Sequence, residues 1–130
     1  SVFEKQLELA EKFNKPVVIH CVAAFQEVMA IKKKMKIGVP MIIHGFSKNN
    51  QLAEQLIVAG FYLSFGKYLL KNPDLKTVFQ NVPNDRFFLE TDTIEESIQQ
   101  IYELASEYKG LNLKELQDVI LSNYRKLFGQ

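Results

Sequence analysis

The stretches Pro16-Val17-Val18-Ile19-His20 and Pro40-Met41-Ile42-Ile43-His44 decide the fold of this chain. Each is a short apolar run, rich in β-branched residues and without polar alternation, which is typical of a strand buried on both faces of a parallel sheet. Two further runs, at residues 61–66 and 87–91, have a similar character. The sequence therefore predicts four buried parallel strands.

Amphipathic segments with apolar residues at helical spacing separate these strands. Asn72 is predicted to cap a helix that begins at the proline following it. Thr93 and Glu96 match a capping box, and Asn112 with Glu115 opens the last helical region. The predicted order is α-β-α-β-α-β-α-β-α-α, which implies a parallel sheet with right-handed crossovers.

The spacing of three polar residues at the strand ends adds a prediction about the type of sheet. His20 and His44 are 24 residues apart, and His44 and Asp92 are 48 apart, as expected for a repeating βα unit. A closed eight-stranded barrel needs roughly 200–250 residues, whereas this chain has 130. The predicted fold is therefore α/β, a partial (βα)₈ TIM-type barrel of about four parallel strands with flanking helices. Residues 1–130 would form a single domain, the C-terminal half of the barrel; a small open four-stranded sheet is the alternative.

Composition narrows the range of partners. With 16 basic and 15 acidic residues the net charge is +1, so tight nucleic-acid binding driven by bulk charge is not indicated. Cys21 is the only cysteine, which excludes an internal disulfide, and no apolar run approaches the ~20 residues of a membrane helix. We expect a cytoplasmic protein with no membrane partner.

Potential metal ligands follow three of the predicted strands. His20, His44 and Asp92 each stand at the end of an apolar run, and the carboxyl ends of strands form the ligand-binding edge of parallel α/β folds. Imidazole and carboxylate together suit zinc, manganese or another divalent metal. An ordinary set of polar strand ends is the alternative that the spacing leaves open.

Several motifs, taken in order, resemble the TatD family of metal-dependent deoxyribonucleases. The resemblance extends over nearly all of the chain. The matching motifs are Lys15-Pro16-Val17-Val18-Ile19-His20, His44-Gly45-Phe46-Ser47, the segment 60–66, Phe88-Leu89-Glu90-Thr91-Asp92 and the segment 123–129.

The resemblance implies a (βα)₈ barrel with one or two divalent metal ions, Zn, Mg or Mn, at its carboxyl face. His20 and His44 would be ligands of the second metal, and Asp92 a ligand of the first and the base for the attacking water. Glu90 would orient the ligands, or be no more than a polar residue of the barrel interior. The substrate would be DNA or another phosphoester.

The chain also departs from the family pattern. The family's His-x-His and its bridging Glu have no counterpart here, so part of the ligand set is missing. The family's Arg-Asp after the histidine is replaced by Val22 and Ala23, and a helix is predicted where a basic loop usually follows Asp92. We therefore expect the 130-residue chain to be inactive by itself, and to pair with a missing N-terminal half or to self-associate. Hydrolysis of a non-nucleic ester or amide, or a non-catalytic relative, are the alternative functions.

Other candidate residues favour structural roles. Cys21 is expected to be a buried thiol, because no activating partner is evident. Lys32, Lys33 and Lys34 are expected on a solvated helix face, and the aromatic side chains Phe46 and Tyr62 in the core.

Overall fold

A computed structural model describes residues 2–20, 24–90 and 95–129 of the chain. The helices are α1 (Val2–Phe13), α2 (Phe25–Met35), α3 (Asn50–Val58), α4 (Lys67–Lys71), α5 (Leu75–Asn81), α6 (Glu95–Lys109) and α7 (Leu113–Phe128). The strands are β1 (Val17–His20), β2 (Met41–His44), β3 (Phe61–Phe65) and β4 (Phe87–Leu89), the last preceded by a 3₁₀ turn at Asn84–Arg86. Asp92, Thr93 and Cys21 lie outside the described residues.

The four strands form one sheet in the order β1-β2-β3-β4, and each neighbouring pair is parallel. The predicted parallel sheet is thereby confirmed. Val17 pairs with Met41 in the first ladder, and the same register pairs His20 with His44. The two histidines are therefore brought side by side by backbone pairing alone.

One face of the sheet packs against the helices and forms the main core. Alternate strand residues point to this face, and Met41, Ile43, Phe61, Leu63 and Phe87 are fully buried there. Burial of each such side chain contributes about 1.5–3 kcal/mol. Burial on this face explains why the strand sequences are apolar.

The opposite face of the sheet is covered only in part. Ile42 and Tyr62 are buried against Leu127 of α7, with Phe88 packed beside them. Val18 on β1 also belongs to this face by alternation, yet its side chain is 51% exposed. The prediction that every strand is buried on both faces is therefore wrong for β1, which is the edge strand of the sheet.

Two polar side chains attach the last helices to the sheet. The buried Asn123 of α7 donates from Nδ2 to the carbonyls of Asn84 (2.8 Å) and Phe87 (2.9 Å), which fixes α7 at the start of β4. Lys109, at the end of α6, donates to the carbonyl of Val82 and lies over the Phe87 ring, 5.1 Å from its centroid. Burial lowers the pKa of the Lys109 amine to about 8.

The helix ends agree with the predicted capping residues and correct the predicted start of one helix. Asn112 and Glu115 form a reciprocal capping box at the start of α7, with backbone-to-side-chain distances of 2.8 and 3.0 Å. Asn72 follows the end of the short helix α4, which the sequence pattern did not indicate, and its Oδ1 accepts a hydrogen bond from the Asp74 backbone N–H at 3.1 Å, as expected of a cap. The next helix, α5, begins at Leu75 rather than at the predicted Pro73. Within the described residues, no helix has the length and apolar character needed to span a membrane.

Candidate active site

The two histidines of the chain meet at the carboxyl end of the sheet. His20 ends β1 and His44 ends β2, and the two imidazole centroids are 4.3 Å apart with an interplanar angle of 46°. Both rings are accessible to solvent, with 27% of the His44 side chain exposed. The structure therefore brings together two of the three predicted ligands, while the third, Asp92, lies outside the described residues.

Glu90 stands directly behind this pair. It follows β4, where its backbone N–H donates to the Phe65 carbonyl at 2.8 Å and extends the pairing with β3. Its Oε2 lies 3.4 Å from Nδ1 of His44 and also accepts a hydrogen bond from the Gly45 backbone N–H. With the side chain only 10% exposed, the carboxylate is held between two strand ends rather than released to solvent.

Two glycines make room for this carboxylate. Gly45 has φ of +66°, a conformation that favours glycine and lets its N–H reach Glu90. A Cβ placed on Gly66 would overlap Oε1 of Glu90 and stand 3.0 Å from Cδ and 3.2 Å from Cβ of the same residue. The sequence pattern gave these glycines no role, although Gly45 directly follows the terminal histidine of a predicted strand and Gly66 is the last residue of another.

A cavity of about 270 Å³ opens over the histidines. Phe25 and Phe46 form part of its apolar wall, and its polar lining includes Glu90, Lys48 and Lys67. Sequence reasoning did not single out the two lysines. Their signal is position alone, since Lys48 lies in the loop after β2 and Lys67 is the second residue after β3.

The donor atoms match part of a metal site. A carboxylate beside Nδ1 is the arrangement usual for a metal-binding histidine, and it leaves Nε2 of His44 as the nitrogen available to a metal. Among the described residues, however, no three His, Cys, Asp or Glu side chains form a cluster able to hold a metal ion. The His20–His44 pair therefore supplies two imidazole donors and needs further ligands from outside the described residues.

The remaining candidates from the sequence have structural surroundings. Phe46 is 2% and Tyr62 8% exposed, which confirms that both rings belong to the core. Lys32 lies on α2 with its amine 5.8 Å from the Phe61 ring centroid, and Lys33 and Lys34 are exposed on the same helix. Lys33 and Lys34 therefore agree with the predicted solvated helix face, whereas Lys32 is half-buried and its amine lies 3.4 Å from the Ile37 carbonyl oxygen.

Comparison with known proteins decides the family. The family model described as TatD related DNase matches residues 1–129. This chain belongs to the TatD family. Two curated relatives are "Uncharacterized metal-dependent hydrolase YabD" of Bacillus subtilis, 29% identical, and "Uncharacterized metal-dependent hydrolase YcfH" of Escherichia coli K12, 27% identical. The alignments cover 98% and 97% of this chain but 56% and 54% of the relatives, so the chain spans about half their length.

Solved structures of the family share the fold. The TatD homologue YjjV of Escherichia coli K12 superposes with a TM-score of 0.85 at 21% identity, over 98% of this chain and 55% of that one. A TatD family hydrolase of Entamoeba histolytica gives 0.84 at 17% identity, over 96% and 55%. The predicted partial barrel of four parallel strands is confirmed, in preference to an unrelated open sheet.

Proposed function

We propose that this chain is the C-terminal half of a metal-dependent hydrolase of the TatD type, acting on phosphodiester bonds of DNA. One observation carries the proposal: His20 and His44 stand side by side at adjacent strand ends, backed by Glu90, in a chain that the TatD model matches end to end. The names of its relatives support metal-dependent hydrolysis, and the family description supports DNA as the substrate.

His20 and His44 would hold the second metal ion through imidazole nitrogen, and Asp92 would ligate the first. Two imidazoles favour zinc or manganese over magnesium, which prefers an all-oxygen shell. When bound, a divalent metal supplies Lewis acidity that activates water and polarises a phosphoryl oxygen. His20, His44 and Asp92 are only part of the ligand set that the family resemblance implies, so the remaining ligands would come from the other half of the barrel.

Glu90 acts in this proposal through His44 rather than on the substrate. Its Oε2 faces Nδ1 of His44 at 3.4 Å, so it favours the tautomer that protonates Nδ1. Its bond from the Gly45 N–H fixes the carboxylate, and therefore the ring, relative to β2. Asp92 would accept the proton of the attacking water, which is the role that the family resemblance assigns to it.

A metal and nuclease assay on the longest native form of the protein tests the proposal. Asp92→Asn keeps the shape of the side chain but removes its charge and most of its basicity, so turnover should fall at least ~10²-fold. Asp74→Asn, at an exposed position just before α5, is the matched control and should leave turnover unchanged. Near-normal turnover in the Asp92 variant would remove this residue from the mechanism.

A non-catalytic role is the second candidate, favoured by the incomplete donor set among the described residues. Dialysis of the 130-residue chain against a mild chelator tests whether this half carries a complete metal site by itself. Loss of metal is expected from a partial site, whereas tight stoichiometric retention would show that this half alone forms a complete one. If the longest native form cleaved an ester or amide but not DNA, the protein would be a hydrolase with a substrate other than DNA. The single cysteine, which allows no internal disulfide, suits a cytoplasmic location, which is part of the proposal.

A further inference from the structure

We propose that Lys48 and Lys67 form the phosphate-binding part of this site, an inference that rests on the proposed phosphodiesterase function. The two lysines follow the ends of neighbouring strands, since Lys48 lies in the loop after β2 and Lys67 is the first residue of α4, directly after β3 and Gly66. Both line the cavity that contains His20, His44 and Glu90. A phosphate entering this cavity would therefore meet two ammonium groups.

Basic residues are unevenly distributed among the segments that follow the strands. The loop after β1, residues 21–24, has no basic residue, and neither has the segment from Glu90 to the start of α6. Lysines close to the carboxyl ends of the strands therefore follow β2, at Lys48, and β3, at Lys67.

The electrostatics of the cavity explain why such cations are needed. Glu90 lines the cavity, and its carboxylate repels a phosphodiester anion. Within the described part of the chain, neither Lys48 nor Lys67 forms an ion pair with a carboxylate, and both are exposed. Their charges are therefore available to the substrate, and lysine binds phosphate as a point charge without strict geometry.

Tyr68 extends the same side of the cavity. Its ring lines the opening, is 41% exposed and lies 5.4 Å from the Lys67 amine. An exposed aromatic ring next to a phosphate-binding lysine offers a stacking surface for the base attached to that phosphate. This arrangement favours a nucleotide over a phosphoester without a base.

An NMR titration of the metal-free 130-residue chain with 5′-phosphorylated thymidine dinucleotide tests the inference. Backbone signals of Gly45, Lys48, Gly66 and Lys67 should shift on binding. Lys48→Gln and Lys67→Gln should each raise Kd about threefold, and the double variant about tenfold, as expected for exposed ion pairs. Removal of one phosphate contact should also lower the slope of log Kd against log salt by about 0.7.

Lys33→Gln, an exposed lysine on α2, is the matched control and should leave Kd unchanged. The inference is overturned if the Lys48 and Lys67 variants bind like this control, if the wild-type signals do not shift, or if unphosphorylated thymidine binds equally well. Failure of the proposed function has a different signature, since lysine-dependent binding would persist while metal-dependent hydrolysis by the longest native form was absent.

Discussion

Replacing Gly66 with alanine tests whether the Glu90 carboxylate shapes the backbone around the site. The added Cβ would overlap Oε1 of Glu90 and approach Cδ to 3.0 Å and Cβ to 3.2 Å, so either the carboxylate or the end of β3 must move. Overpacking of this kind costs about 1–3 kcal/mol. Displacing the carboxylate also breaks its bond from the Gly45 N–H, which adds about 1 kcal/mol or more.

Urea unfolding monitored by circular dichroism measures this cost. We expect the free energy of unfolding of Gly66→Ala to fall by about 2–4 kcal/mol with an unchanged m-value. Gly38→Ala is the control, because a Cβ there would meet only Oε1 of Glu11, at an ordinary contact distance of 3.7 Å. That substitution should be neutral or should stabilise the chain by about 0.4–1 kcal/mol through the unfolded state.

A second background identifies the clashing group. In Glu90→Ala the carboxylate is gone and only the 3.2 Å contact with Cβ remains, so adding Gly66→Ala should cost much less than it does in the wild type. An equal loss of stability in both backgrounds would refute the reasoning, because Gly66 would then be required for reasons unrelated to Glu90. Under the proposed function, Gly66→Ala should also weaken zinc binding by about 10–100-fold, as the orientation of His44 is lost.

Three further perturbations test the packing of the chain. Asn123→Leu removes the donor that reaches the carbonyls of Asn84 and Phe87, and should cost about 1–3 kcal/mol in urea unfolding; wild-type stability would contradict the assigned role. The pKa of Lys109 is about 8 in the folded chain and higher when unfolded, so the native state loses its proton first, and stability should rise as pH increases from 8 towards 10; Lys109→Met should abolish this rise, and a parallel pH profile for both chains would contradict it. The exposed edge at Val18 should make the 130-residue chain self-associate in sedimentation velocity, and Val18→Lys should reduce the associated fraction; a monodisperse wild-type monomer at micromolar concentration would contradict this expectation.

Local patterns were sufficient to predict the sheet and its histidine pair. The four strands are apolar runs that end in or next to a polar residue, so the sequence indicates both the strand and the point at which it stops. Parallel pairing then sets equivalent positions side by side, which is why His20 and His44 meet. Their pairing required no knowledge of side-chain packing.

The features that the sequence did not indicate depend on distant parts of the chain. Exposure of Val18 is decided by what lies opposite β1, and the run Val-Val-Ile contains no information about that. The contact between Gly45 and Glu90 joins residues 45 positions apart, and the need for glycine at position 66 follows from that same carboxylate. The five residues of α4 are too few to show a helical period.

The face of the sheet opposite the main core has an apolar part and a polar part, one after the other along the strands. Val18, Ile42 and Phe88 each stand two residues before a polar partner, namely His20, His44 and Glu90. Because side chains alternate, each such pair shares one face, so an apolar layer in the middle of the sheet is followed by a polar layer at its carboxyl edge. Leu127 packs on the apolar layer beside Ile42, while Lys48 and Lys67 line the cavity over the polar one. The residues on this face therefore change from apolar to polar towards the carboxyl ends of the strands. A ligand that reaches the histidines from that side meets Lys48 and Lys67, which follow the ends of β2 and β3.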